Sequence, residues 1–365
     1  MKKYTKYNCN ISKQSLSLCL LLISCCVVAC KKEAKVKIEK EVLNKVAPIS
    51  IKGLQERSYI SEISFEKNLE DTDKYKSKLI SYLSDSLKVY ALVTIPKSEK
   101  PKKGFPILIF GHGFHPEPEK YGVSAKTGKN WRPGDYYRGI PETYAEIGFL
   151  VITPDYRGHN VSEGFEYTQT SYLASTFYAI DVLNLISALS QLEEGNTDNV
   201  FYLGHSLGGD VGLKTLLVSK QIKAASIWAG VSASTIDQVL YYGKYYDNNN
   251  SKITNESIQN YKSKLNEVIR NLDFEYDINS GDAINYIEDI EAPLILHHAQ
   301  WDTSVPYQWS EALASKLFTH NKKFEFYTYN SKNHLFKDEN RAIAIQRDLD
   351  FFNKIITTKI NKNGN

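Results

Sequence analysis

The sequence predicts an α/β fold: a mostly parallel, doubly wound sheet with an antiparallel N-terminal hairpin and a helical lid insertion. Three observations lead there. Short unbroken apolar runs recur along the chain, each followed by a segment with apolar residues every three or four positions, the pattern of strands buried on both faces and joined by helices. Ahead of them, polarity alternates on either side of Ser84-Asp85-Ser86, as in a hairpin with one wet face. Finally, Gly204-His205-Ser206-Leu207-Gly208 follows the apolar run Val200-Phe201-Tyr202-Leu203 and precedes a helix-like segment, which sets a serine at a strand-to-helix turn.

Taken from the N-terminus, the first element is a leader. Lys2, Lys3, Lys6 and Lys13 precede an apolar stretch from Leu16 to Ala29, 14 residues long, where roughly 20 are needed to span a bilayer. A small residue stands before Cys30, so residues 1–29 are expected to be a signal peptide, an ordinary secretory signal being the alternative. Val27-Val28-Ala29-Cys30 resembles the lipobox of bacterial lipoproteins, with Val27 where leucine is usual. The resemblance implies cleavage before Cys30, a diacylglyceryl thioether on its sulfur, and an extracytoplasmic protein anchored to a bacterial membrane. Lys31 after the cysteine resembles lipoproteins passed to the outer membrane. Residues 30–50 are charged and lack aromatics, as a solvated tether requires, with a short helix as the alternative. Residues 51–365 then form one domain.

Within it, Lys78 to Leu83 and Leu87 to Val93 give the hairpin. Buried strands follow at Ile107 to Phe110, Phe149 to Thr153, Val200 to Leu203, Ala225 to Trp228, Leu294 to Leu296 and Phe324 to Tyr329. Leu173, Phe177, Ile180, Leu183 and Ile186 give one connecting helix an inward stripe, and Ile345, Leu349 and Phe352 give the last helix another. Two segments break the alternation. Residues 115–140 contain Trp131, Tyr136 and Tyr137; residues 232–290 contain Tyr241 and Tyr242 and a helix period at Ile258, Leu265, Ile269 and Leu272. Both leave from carboxyl ends of strands, where open α/β sheets place ligands. They are expected as walls and lid of a cleft, with those five aromatic residues binding substrate; plain packing is the alternative.

Composition narrows the chemistry. All five cysteines lie in the first thirty residues, so the folded body has no disulfide, thiolate metal site or cysteine nucleophile. The net charge of +3 belongs to the leader: its removal leaves 41 basic against 42 acidic residues, and no nucleic-acid partner is indicated.

Oxygen and nitrogen groups must therefore carry the reaction, and Ser206 is the candidate nucleophile. It needs a base, and the base needs an orienting carboxylate, both from later strand ends. His334 follows the final strand within Asn330-Ser331-Lys332-Asn333-His334. His320 instead closes a helix from Tyr307 to Thr319, where it caps carbonyls. Asp302 follows the strand around Leu294-Ile295-Leu296; the alternative makes it a helix cap. Charge developing on a carbonyl oxygen would be held by the Leu207 N–H at a helix start and by a second N–H from Gly111-His112-Gly113-Phe114, Phe114 first and Gly113 second. His112 then braces its loop. A zinc site at His112 and His115, or at His297 and His298, is disfavoured: strand neighbours face opposite ways, and no acidic partner stands at helical spacing. Satisfied loop histidines explain them.

Gly111-His112-Gly113, Asp155-Tyr156-Arg157-Gly158, Gly204-His205-Ser206-Leu207-Gly208-Gly209, Asp302 and His334, in this order, resemble an α/β-hydrolase and more narrowly the catalytic domain of the prolyl oligopeptidase family, over about residues 76–355. The resemblance implies acyl transfer by Ser206, Asp302 and His334 without a cofactor, on a small-molecule ester or peptide substrate. Larger members carry an N-terminal β-propeller, which Ile51 to Ser77 is too short to build, and the paired glutamates of dipeptidyl peptidases are not seen. Ester or small-amide hydrolysis is thus the first expectation, with a peptidase acting on short peptides second and a non-catalytic binding protein third.

Overall fold

The computed structural model describes residues 49–115, 117–118, 137, 139–165, 173–246, 255–270 and 276–362. The expected signal peptide, Cys30 and nearly all of the tether lie outside the described residues, as do Trp131 and Tyr136. Helix α1 (Ile51–Glu56) leads into β1 (Ile63–Asp71), β2 (Tyr75–Ser84), β3 (Leu87–Pro96) and β4 (Phe105–Gly111). There follow α2 (Ile140–Glu146), β5 (Leu150–Pro154), α3 (Ala174–Ala188), β6 (Gly195–His205), α4 (Leu207–Val218) and β7 (Ile222–Trp228). The insertion contributes α5 (Thr235–Tyr246) and α6 (Asn255–Arg270), and the chain ends with β8 (Leu294–Ala299), α7 (Tyr307–Thr319), β9 (Phe324–Tyr329) and α8 (Asn340–Lys362).

Among the described residues the strands form one sheet in the order β1-β2-β3-β5-β4-β6-β7-β8-β9. Strands β1, β2 and β3 pair antiparallel, β3 pairs antiparallel with β5, and every pairing from β5 to β9 is parallel. The expected hairpin is β2–β3, with Ser84 opposite Leu87 and both turn residues, Asp85 and Ser86, at positive φ. A two-residue turn of that hand matches the right-handed strand twist.

Alternate residues of one strand feed two separate cores. Ile107, Ile109, Val200 and Tyr202 pack with α1, α3, α4 and α7 on one face, while Leu108, Phe110, Phe201 and Leu203 pack with α2 and α8 on the other. That is why the strands read as continuous apolar runs: both pleat directions are dry. Each fully buried leucine or isoleucine contributes roughly 1.5–3 kcal/mol.

Helix α3 departs from the expected single stripe. It is buried on nearly all sides, Asp181 and Asn184 included. Its polar residues are satisfied inside: Asp181 accepts two bonds from the buried Arg157 guanidinium, and Asn184 donates to Ser84. The insertion is helical, as expected, with a small core of its own at Val239, Leu265 and Ile278. Its two ends meet where Asp282 Oδ1 accepts the Thr235 N–H at 2.9 Å and the Thr235 hydroxyl at 2.5 Å.

Candidate active site

Ser206 sits between β6 and α4 with φ 56° and ψ −120°, in the left-handed region that ordinary residues avoid. Such a residue costs about 1–3 kcal/mol and persists only when its surroundings hold it. Here the Ser206 N–H donates to the Trp228 carbonyl at 3.0 Å, and the Ser206 carbonyl accepts from Gly209 and Val231 at 2.9 Å each. The flanking glycines are steric necessities. A Cβ on Gly204 would stand 2.3 Å from the Gly208 carbonyl oxygen, and one on Gly208 would stand 2.0 Å from the Gly111 oxygen.

Asp302 and His334 come together. His334 Nδ1 donates to Asp302 Oδ2 at 2.6 Å, with the carboxylate fully buried and the imidazole 22% exposed. The same carboxylate also caps its turn: Oδ1 accepts from Ser304 N at 2.7 Å and Val305 N at 3.1 Å. Asp302 thus contacts His334 through one oxygen and caps a turn through the other; that turn precedes α7, whose own N-cap is Pro306. Burial by itself would raise the Asp302 pKa; the bonds from His298 and His334 outweigh it and hold the carboxyl well below the usual range. With Nδ1 turned to the carboxylate, Nε2 is the ring nitrogen that faces away from Asp302.

His205 joins this pair to the elbow. Its Nε2 lies 2.9 Å from the His334 carbonyl oxygen and the two rings stand 4.5 Å apart. Burial keeps the His205 ring neutral, far below the ordinary histidine range. Among the described residues the Ser206 hydroxyl makes no hydrogen bond, a common state before substrate tightens a site. The Leu207 N–H opens α4 and so lacks an intrahelical acceptor. Gly113 reaches the same place: a Cβ there would lie 3.1 Å from Ser206 Cβ.

A sequence profile described as the prolyl oligopeptidase family matches residues 136–359, more than half of the chain. The chain belongs to the prolyl oligopeptidase family. It is thereby a serine hydrolase. A relative from Bacillus subtilis named uncharacterized peptidase YtmA is 27% identical over 273 residues, covering 73% of this chain and 90% of its own length. Among solved structures, acetyl xylan esterase 1 from Thermoanaerobacterium superposes with a TM-score of 0.56 at 15% identity, over 86% of this chain and 92% of that one. The acylaminoacyl peptidase of Pyrococcus horikoshii gives 0.56 at 17% identity, over 78% of this chain but 42% of its own. These likenesses carry the α/β-hydrolase fold.

The remaining expected site residues of this family member fall out unevenly. Tyr137, expected to bind substrate, is 3% exposed, and its hydroxyl lies 2.8 Å from Gly113 N and 2.7 Å from His205 Nδ1. It is an internal brace, because it closes the gap behind the Gly113 loop. The bond engages the Gly113 N–H. Tyr241 and Tyr242 are half-buried on α5 and meet Trp309 of α7 edge-on at 5.3 and 5.9 Å. The Tyr241 hydroxyl donates to the Thr303 carbonyl, next to Asp302. His112 is the expected brace: its ring nitrogens face the carbonyls of Gly113 and Asp155, and burial holds its pKa at about 4.

His297 and His298 are strand residues of β8, not loop residues, and face opposite ways. His297 meets Tyr329 and Asp348, whereas His298 meets Ser310, the Val305 carbonyl and Asp302 at 3.4 Å. His112 faces the carbonyls of Gly113 and Asp155, and His115 Nδ1 faces the carbonyl of Glu117. His205, His298 and Trp309 carry site contacts that sequence reasoning missed; for His205 the signal was available, as it is the variable residue of the Gly-x-Ser-x-Gly turn.

Proposed function

We propose that this serine hydrolase cleaves carboxylic esters or small amides through an acyl-enzyme on Ser206. The observation that carries the reading is the 2.6 Å bond from His334 to buried Asp302, on a loop tied through His205 to the strained Ser206 turn. Ser206 Oγ attacks the acyl carbon while His334 Nε2 takes its proton, then returns that proton to the departing alcohol or amine. Asp302 keeps the imidazole in the tautomer that accepts at Nε2 and stabilises the imidazolium as it forms. The N–H groups of Leu207 and Phe114 hold the oxyanion, and removing one such donor typically costs about 100- to 1,000-fold. Water, activated by the same imidazole, then releases the acid.

Labelling with a fluorophosphonate tests this: wild-type protein is modified and Ser206→Ala is not. A folded wild type that resists labelling would favour a binding protein on a hydrolase fold. A peptidase acting on short peptides is the second reading, favoured by the name of the Bacillus relative. Turnover of aryl esters, acetylated sugars and aminoacyl anilides side by side separates the two, and preference for anilides would overturn the ester reading. The reading includes a lipid anchor at Cys30 that holds the enzyme on the outer membrane, supported by the leader pattern. Loss of detergent-phase partitioning in Cys30→Ala is the expected result.

A further inference from the structure

Tyr137 occupies a position that binding a substrate does not explain. It lies in a segment otherwise rich in exposed-type residues, yet it is buried. The reach of its hydroxyl depends on a glycine, since a Cβ on Gly113 would stand 2.4 Å from that oxygen. The proton directions along the chain of contacts are fixed. The His334 carbonyl can only accept, so His205 Nε2 carries the hydrogen; the ring is neutral, so His205 Nδ1 is an acceptor. Tyr137 therefore donates to His205 Nδ1 and accepts from the Gly113 N–H. One hydroxyl thus joins the loop of Gly113, the Ser206 turn and, through His205, the backbone of His334.

Gly113 is held from its other side as well. Its carbonyl lies 2.8 Å from His112 Nδ1. That carbonyl and the Phe114 N–H belong to one trans peptide, in which they point in opposite directions. The neutral His112 ring has one hydrogen, and the shorter contact assigns it to Nδ1, toward the Gly113 carbonyl, rather than to Nε2, 3.1 Å from the Asp155 carbonyl; with the Gly113 N–H bound to Tyr137, both peptide planes of a residue with no side chain are then pinned. The Phe114 N–H must then point away from His112, and its aim is set before substrate arrives.

We propose that Tyr137 is the positioning residue of the oxyanion site, aligning the Phe114 N–H through Gly113 while braced on His205 Nδ1 beside the Ser206 turn; this rests on the Ser206 acyl-enzyme reading above. Tyr137→Phe removes only the hydroxyl. The expected result is a fall of about 10- to 100-fold in kcat for an aryl acetate with KM changed less than about threefold, the partial loss of one oxyanion donor. Rates are normalised to sites titrated by fluorophosphonate, so a smaller folded fraction cannot imitate the effect. An aryl trifluoromethyl ketone, whose Ser206 adduct places an oxyanion in the site, should lose affinity by the same factor as kcat/KM, whereas a merely structural role would leave that affinity per titrated site unchanged.

Tyr137→Phe with kcat and ketone affinity within twofold of wild type overturns the inference and leaves the acyl-enzyme reading standing; a wild type that is not labelled brings down both. Should Tyr137→Phe fail to fold, two His205 variants decide. His205→Asn keeps an acceptor near the Nδ1 position and should retain ketone affinity within about threefold, while His205→Leu removes it and should lose about tenfold or more. Equal behaviour of the two overturns the proposal.

Discussion

Asp302→Asn is the sharpest perturbation, because the structure dictates how the new side chain must sit. Ser304 and Val305 both donate to Oδ1, so the carboxamide oxygen takes that place and its NH2 replaces Oδ2. The NH2 then faces His334 Nδ1, which stands 2.6 Å from the present oxygen. Two donors cannot share that contact, and the imidazole switches to the tautomer with its proton on Nε2, which cannot take the Ser206 proton. The charge is lost as well. Two unit charges about 4 Å apart at an effective dielectric near 20 interact by roughly 4 kcal/mol, about a thousandfold in rate. Tautomer and charge together give an expected fall in kcat of about 1,000- to 10,000-fold, the size seen when a triad carboxylate becomes an amide. Aryl acetate turnover per titrated site is the assay, and thermal unfolding should move little because the turn stays capped. A variant keeping more than a tenth of wild-type kcat would refute the argument that Asp302 orients His334.

Further outcomes follow from packing and charge. Burial keeps the His112 pKa at about 4, against about 6.5 for a free imidazole. The unfolded chain therefore binds the extra proton first as pH falls, so stability contributed by neutral His112 is complete above pH 6.5 and is lost between 6.5 and 4, by about 3 kcal/mol. Urea midpoints at pH 7.5 and 4.5 should show the drop, and His112→Gln should lessen it; an unchanged slope would contradict this. Gly208→Ala forces a methyl to within 2.0 Å of the Gly111 oxygen and should cost about 3 kcal/mol or more in urea unfolding; a loss under about 1 kcal/mol would show that the turn yields. Arg157→Met strands Asp181 in the core and should cost about 3–5 kcal/mol, most of it recovered when Asp181→Leu is added.

The parallel strands could be read from the chain because their burial on both faces leaves unbroken apolar runs, and the Ser206 turn because its glycines answer to contacts within a few residues. The positions of Ser206, Asp302 and His334 just after strands could be read from the chain, and the contact between Asp302 and His334 is what the fold adds. Helix α3 was read only in part: Asp181 and Asn184 look like a wet face until Arg157 and Ser84 are seen against them. The polar first half of β6, Gly195 to Asn199, pairs through its backbone in part and leaves no side-chain signature. Tyr137 misled because an aromatic residue in a long insertion resembles a cleft wall; only the arrival of Gly113 and His205 from distant segments makes it internal. Trp309 and His298 carried no local pattern that marks them.

The clasp between Thr235 and Asp282 has an evolutionary meaning. Where a long excursion starts and finishes at one point, its interior can grow, shrink or be exchanged while the framework beneath stays in register.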